Sequence, residues 1–364
     1  MLDKKQASNR GYVLVATALS AVALLGMVGL AVDLGRVFIA KSEAQTFADS
    51  AALAAAAELD GSLQGITDAI NAVNANPNKW NFNTRAFTGT IVEFAQNATG
   101  PWVSMPSTGA GYRFVRVTSS VNVSLLFLPA VVPTWSQLVK ARAVAAQVPK
   151  TTFREALFPF SPFAHSPSGP NFGLTPGTQY TLRWASNPRL TGGVGNSNVC
   201  EGDREQAWVD LAQAMGGSER GFIEDTSAST IRATIVDDYQ SVFRSVGDLV
   251  NFTGGAKQTE LDALLTRISQ DTDSQSQTFS QYVNLGRGNG RRIVACPIND
   301  GGTPPGVNQR IVGIGAFFLH RTGDYGSGGN QTWCAEYIGP WVQGSRKKGV
   351  GDGANGAFVV RLLE

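Results

Sequence analysis

The sequence predicts an α+β protein. One long N-terminal helix crosses a membrane and then packs on a small antiparallel sheet, and a second α+β domain follows. Three observations carry this. Residues 12–32 form an apolar run without a charge. An alanine-rich helical stretch continues from it without a break. The rest of the chain alternates short β-patterned segments with Gly-rich loops, and the 41 glycines favour many turns.

The apolar run, YVLVATALSAVALLGMVGLAV, is 21 residues long. As a helix it reaches roughly 32 Å, against a bilayer core of about 30 Å. Ten of its positions are Leu or Val. These favour insertion by roughly 3 to 6 kcal/mol, from which the glycines, Thr17 and Ser20 subtract. Lys4, Lys5 and Arg10 precede the run with only Asp3 against them, and Asp33, Arg36 and Lys41 follow it. Positive flanks stay cytoplasmic, so the expected topology is single-pass with the N-terminus cytoplasmic and the bulk of the chain outside. A signal peptide would have a shorter apolar core and a break before its cleavage site. Here neither Pro nor Gly occurs between Gly35 and Asp60, which predicts an uncleaved anchor.

The helix is expected to run on to Asp60-Gly61. Ala is the strongest helix former, and Ala40, Ala44, Phe47, Ala48, Ala51 and Ala55 fall on one face. Such a small-residue stripe packs either on the chain's own following domain or on another copy. The latter would be self-association through the N-terminal helix.

Residues 62–149 read as a small antiparallel β domain that covers this helix. A short amphipathic segment (Leu63, Ile66, Ile70, Val73) ends before Pro77, and strands are expected at 87–94, 112–118, 121–128 and 139–148. Residues 150–176 hold Pro159, Pro162, Pro167, Pro170 and Pro176 and read as a connector. Its Phe153, Leu157, Phe158, Phe160, Phe163 and Phe172 call for burial. Residues 177–364 read as the C-terminal α+β domain. Strands are expected at 180–184, 292–298, 310–320, 332–338 and 357–363. A helix is expected at 206–215, and a longer one is marked by Ile231, Ile235, Tyr239, Val242, Phe243 and Val246. Another is marked by Leu261, Leu264, Leu265 and Ile268, with Thr259 as its N-cap.

Asn9-Arg10-Gly11, the apolar run, Gly29-Leu30-Ala31-Val32-Asp33-Leu34-Gly35-Arg36, and then Ala44-Gln45, Ala48-Asp49 and Ser50-Ala51-Ala52-Leu53-Ala54-Ala55 stand in one helical register. This pattern resembles the N-terminal module of the TadE/TadG-like proteins of bacterial tight-adherence (Flp) pilus assembly. The segments at 115–118, 123–127 and 141–145 also suit that family, and no family motif is found beyond residue 150. One long helix followed by a small antiparallel sheet is a pilin-like α+β layout. The resemblance implies a non-enzymatic structural or assembly protein of a Tad/Flp pilus or adhesion system in a bacterial inner membrane. Its partners would be the lipid bilayer and other Tad/Flp pilus-assembly proteins. Pilins carry a Glu five residues after their processing site. Counted from Gly11–Tyr12, that place is held by Ala16, so prepilin-type cleavage is not expected.

The residues offer little catalytic chemistry. A formal charge of +2 is too mild to imply nucleic acid. The two histidines, His165 and His320, cannot form HExxH, and neither G-x-S-x-G nor a P-loop occurs. No cofactor is implied. Asp237-Asp238 is an acid pair that solvent would normally claim. Asp271-Thr272-Asp273 opens like a calcium loop but lacks the Gly and Glu that complete one. Arg346-Lys347-Lys348, near Trp341, is either a solvated turn or a contact for glycans or anionic surfaces. Asp225, Ser227 and Ser229 fit D-x-S-x-S, a hard-oxygen set suited to Mg²⁺. The same hydroxyls would equally cap the following helix. The alternative function is therefore a membrane-tethered extracytoplasmic ligand-binding module that depends on a divalent metal. Of the three cysteines, Cys200 and Cys334 lie in polar, loop-like surroundings and are favoured as a disulfide. Cys296 lies in an apolar strand and is expected as a buried thiol.

Overall fold

The computed structural model describes residues 4–81, 84–130, 132–166, 169–190, 199–215, 221–223, 225, 227–254, 258–303, 305–326, 331–345, 349–350 and 356–363. Its helices are α1 (Lys4–Glu58), α2 (Leu63–Ala75), α3 (Gln206–Ala214), α4 (Ala228–Asp237), α5 (Gln258–Ser269) and α6 (Phe279–Leu285). The main strands are β1 (Ile91–Ala95), β2 (Phe114–Ser124), β3 (Ser136–Pro149), β4 (Gln179–Arg183), β5 (Ile293–Asn299), β6 (Gln309–Leu319), β7 (Trp333–Gly339), β8 (Trp341–Gln343) and β9 (Ala357–Leu362). The architecture is α+β.

α1 is one helix of 55 residues that begins at Lys4, ahead of the apolar run, and ends before Asp60-Gly61. Its second half lies on a five-stranded sheet of order β8-β9-β3-β2-β1. β2 alternates cleanly: Val115, Val117, Ser119, Val121 and Val123 point to α1. It is one strand where the sequence suggested two. Ser119 and Ser120 pair with Ala141 and Lys140, and the Ser119 hydroxyl donates to the Ala44 carbonyl at 3.3 Å. The polar pair is thus satisfied inside the ladder, and the strand does not break. The strand expected at 87–94 is shorter, starting at Ile91. Phe87 instead stacks on Phe47 at 5.4 Å. α2 is capped by Ser62, whose hydroxyl accepts from the Gly65 amide at 3.0 Å, and it buries Ile66, Ala69 and Val73.

The second sheet, of order β5-β6-β7-β4, is antiparallel. One face packs Leu182, Cys296, Phe317 and Tyr337 against Ile231 and Ile235 of α4 and Leu261, Leu264 and Ile268 of α5. The other face packs Ile314, Ala316 and Phe318 with Val209 and Ala212 of α3, Tyr282 of α6, and Trp341 and Ala357 of β8 and β9. The large apolar residues of the Pro-rich connector fill these two cores. Phe158, Phe160 and Phe172 enter the first, and Phe153, Leu157 and Phe163 the second. The connector is therefore structural filling.

One expectation about organisation is corrected. The division into units 62–149 and 177–364 placed the last strand with the second sheet. In the structure β9 pairs antiparallel with β3 of the first sheet, from Phe358 opposite Pro149 to Leu362 opposite Ala145. Only Pro340 separates β7 in one sheet from β8 in the other. Gly356, at φ +69°, opens β9 where a Cβ would stand 1.8 Å from the Ile314 carbonyl. The close approach of the two sheets excludes any side chain there.

Two helix expectations also change. α4 ends at Asp237, with Asp238 left-handed (φ 58°), so Tyr239 and Phe243 are exposed and not part of a longer helix. Thr259 lies inside α5, where its hydroxyl donates to Glu260 at 3.0 Å, and is not the N-cap. Cys200 and Cys334 form a disulfide, and Cys296 is a free, fully buried thiol. Burial pushes the Cys296 thiol well above its ordinary range, against the opposing effect of Arg267.

Candidate functional site

α1 carries three surfaces in succession. The first, from Tyr12 to Val32, is apolar and bare: Leu19, Leu25 and Met27 are each exposed by more than half. Among the described residues it is the one helix long and apolar enough to cross a membrane. A soluble protein would bury such a surface.

The second surface is a one-turn junction. Asp33, 1 % exposed, accepts hydrogen bonds from three consecutive amides at the β2–β3 turn: Leu126 at 2.8 Å, Phe127 at 2.9 Å and Leu128 at 2.7 Å. A carboxylate has oxygen lone pairs enough for all three, and amide donors to a charged acceptor make strong bonds. One turn earlier, Gly29 lies against the Phe127 side chain. A Cβ at residue 29 would come within 2.5 Å of the Phe127 Cβ.

The third surface is the alanine stripe. Ala40, Ala44, Ala48, Ala51, Ala52, Ala55 and Ala56 are fully buried, together with Phe47. The chain's own β2 and β3 cover them, packing Val117, Val121, Val139, Ala141 and Ala143 into the same core. The stripe is therefore occupied within the molecule, and a second helix cannot dock on it. Polar side chains frame the contact. Lys41 donates to the Lys140 carbonyl, and Gln45 to the Arg142 carbonyl at 3.1 Å. At the C-terminal end of α1, Gln147 donates to the Ala56 and Leu59 carbonyls at 2.9 and 2.7 Å and accepts from the Val350 amide at 2.9 Å. This supplies the partners that a helix C-terminus lacks.

The D-x-S-x-S residues take capping and loop roles. The Ser227 hydroxyl accepts from the Thr230 amide at 3.2 Å as the N-cap of α4 and lies 2.7 Å from the Ser229 hydroxyl. Asp225 accepts from the Ser241 hydroxyl. Among the described residues no group of three His, Cys, Asp or Glu side chains is placed to hold a metal. Thr226 and the basic turn Arg346-Lys347-Lys348 lie outside the described residues.

The acid pair is split. Asp237 is exposed, while Asp238 bridges Arg267 at 2.7 Å and Arg291 at 3.0 Å. Asp271 and Asp273 close a loop on themselves. Asp271 accepts from the Tyr282 hydroxyl at 2.8 Å and the Arg292 amide at 3.0 Å, and Asp273 from Ser276 Oγ at 2.6 Å. Burial works to raise the Asp273 carboxyl. The Ser276 hydroxyl, the amides of Ser276 and Gln275, and Arg292 outweigh it and hold the group below the usual range. His165 bonds Asp203 at 3.0 Å and stacks on Trp208 at 4.0 Å. His320 is buried, its Nδ1 3.0 Å from the Gln277 carbonyl. Each is held by packing and hydrogen bonding.

The junction at Asp33 escaped the sequence reading, where that residue counted as a flanking charge and as part of the motif Gly29–Arg36 but was given no partner. The available signal was its position, one residue past the apolar run, together with a charge-free stretch between Arg116 and Lys140 that also has to end somewhere apolar.

Residues 11–58 match a family model described as Flp pilus-assembly TadE/G-like. The match covers the bare surface, the junction and the alanine stripe. No curated protein and no solved structure matches the chain.

Proposed function

We propose that this chain is a non-enzymatic, single-pass component of a bacterial Tad/Flp pilus-assembly or adhesion system. It sits in the inner membrane with the N-terminus cytoplasmic and the two sheets outside. The observation that carries the reading is the coincidence of the family match with α1, bare and apolar before Asp33 and buried on its own sheet after Ala40. The orientation rests on Lys4, Lys5 and Arg10. A Cys200–Cys334 disulfide suits an oxidising exterior. Its partners on this reading are the bilayer and other pilus-assembly proteins. They would be met by surfaces other than the alanine stripe.

Two measurements test it. A tagged full-length chain solubilised from native membranes should co-purify with pilus-assembly proteins, and deleting its gene should reduce piliation. Normal piliation in the deletion strain would remove the assembly role. A reporter that is active only outside the cytoplasm, fused after residue 150, should be active. A silent reporter would reverse the orientation.

A further inference from the structure

We propose that the tip of the β2–β3 hairpin, residues 125–130 and 132–135, inserts into the exterior leaflet of the bilayer that α1 crosses, as a second membrane contact beside the anchor. This rests on the membrane-anchor reading above and adds a site to it.

The tip is apolar and bare. Leu126, Phe127, Val132 and Trp135 are 62 %, 49 %, 44 % and 74 % exposed, and Leu138 beside them is 46 % exposed. No charge occurs between Arg116 and Lys140. A soluble hairpin tip normally carries polar turn residues. This one carries apolar side chains and a Trp, the residue that settles at membrane–water interfaces.

Position identifies the occupant. Phe127 touches Gly29, which belongs to the apolar run one turn before its end. The tip's exposed side chains are therefore continuous with the exposed face of α1. Whatever covers Val28 and Leu30 also reaches Phe127. Once the helix is in a bilayer, the tip is at the depth of its last turn. Apart from Asp33, the next charged residues of α1, Arg36 and Lys41, fall behind this level. Lys41 donates to the Lys140 carbonyl, eight residues beyond Asp33 along α1, so this ammonium group lies past the tip on the exterior side.

The Asp33 contact matches that environment. In water, a carboxylate and three amides would each be solvated and need no partner. In hydrocarbon an unpaired amide and an unpaired carboxylate are both costly. Here Leu126, Phe127 and Leu128 donate to Asp33, so the turn's free donors and the helix's charge satisfy one another at the boundary.

The test uses the full-length protein in phosphatidylcholine–phosphatidylglycerol vesicles, with an environment-sensitive fluorophore on single introduced cysteines. Native Cys296 is fully buried and Cys200 and Cys334 are joined, so the new thiol is the reactive one. Labels go at Trp135→Cys, Val132→Cys, Leu19→Cys in the apolar run, and Met105→Cys at the opposite end of β2. Nitroxide-bearing lipid should quench the labels at 135, 132 and 19 several-fold more than the label at 105, with iodide showing the reverse order. Iodide quenching of 135 and 132 equal to that of 105, with 19 still lipid-quenched, would overturn the insertion and leave the anchor standing. Iodide access to 19 as well would remove the anchor reading itself. The two positions in the tip guard against misfolding of either variant.

Discussion

The Phe127 amide donates to the Asp33 carboxylate at 2.9 Å across 94 positions of sequence. With the flanking amides of Leu126 and Leu128, this bond ties the hairpin turn to the helix at one height. Asp33→Ala should release the turn without unfolding either sheet. Amide hydrogen exchange at 126–128 is expected to accelerate by at least an order of magnitude, while exchange in β5 and β6 stays unchanged. Unaltered protection at 126–128 would mean that the turn holds itself.

Ala48 is fully buried between α1 and the first sheet. Ala48→Leu overpacks that interior and should cost about 1–3 kcal/mol of stability. Thermal melting of the detergent-solubilised chain measures this. Ser50→Ala on the exposed side of the helix is the control. A wild-type midpoint for Ala48→Leu would show that the sheet yields at this place.

Gln147 is buried and serves three backbone groups, the Ala56 and Leu59 carbonyls and the Val350 amide. Gln147→Leu keeps the volume roughly constant and strands all three. A loss of about 1–3 kcal/mol is expected, read as a lower denaturant midpoint with the same slope. Only a fall below half a kcal/mol would be compatible with water replacing the amide.

The cysteines predict a titration pattern. The native chain should offer no thiol to maleimide, because Cys296 is buried and Cys200 is joined to Cys334. Unfolding without reductant should expose one thiol, and reduction three. Cys200→Ser should lose roughly 2–4 kcal/mol, since the bond closes a long loop of the unfolded chain.

His320 predicts a pH dependence. Burial lowers its pKa from the ordinary value of 6.5, only partly offset by the Gln277 carbonyl and Asp324. The folded state therefore prefers the neutral ring. Its contribution to stability is complete above pH 6.5 and is lost as pH falls from 6.5 towards the folded pKa, because the unfolded chain takes up the proton first. His320→Gln should flatten the melting temperature against pH over that window relative to wild type. Parallel curves would place the proton uptake elsewhere.

Local pattern was enough for much of this molecule. An uncharged apolar run, an alanine stripe at helical spacing and alternating valines each have one low-energy solution, so the long helix, its bare first half and the strands it lies on were legible in the residues alone. Other features depended on contacts between distant residues. The 3–4 spacing from Ile231 to Val246 reads as one helix. The chain stops at Asp237 because Arg267 and Arg291, supplied from elsewhere, hold Asp238 and take the Ile235 and Val236 carbonyls that the next helical turn would have used. β9 has an ordinary strand pattern that either sheet could pair. It joined the first sheet because only Pro340 separates β7 from β8, which had already crossed over, and Gly356 lets β9 follow it past Ile314. Asp33 shows the same limit: its charge was visible in the sequence, but the three amides that hydrogen-bond to it came from a turn that only the tertiary structure brought to its side.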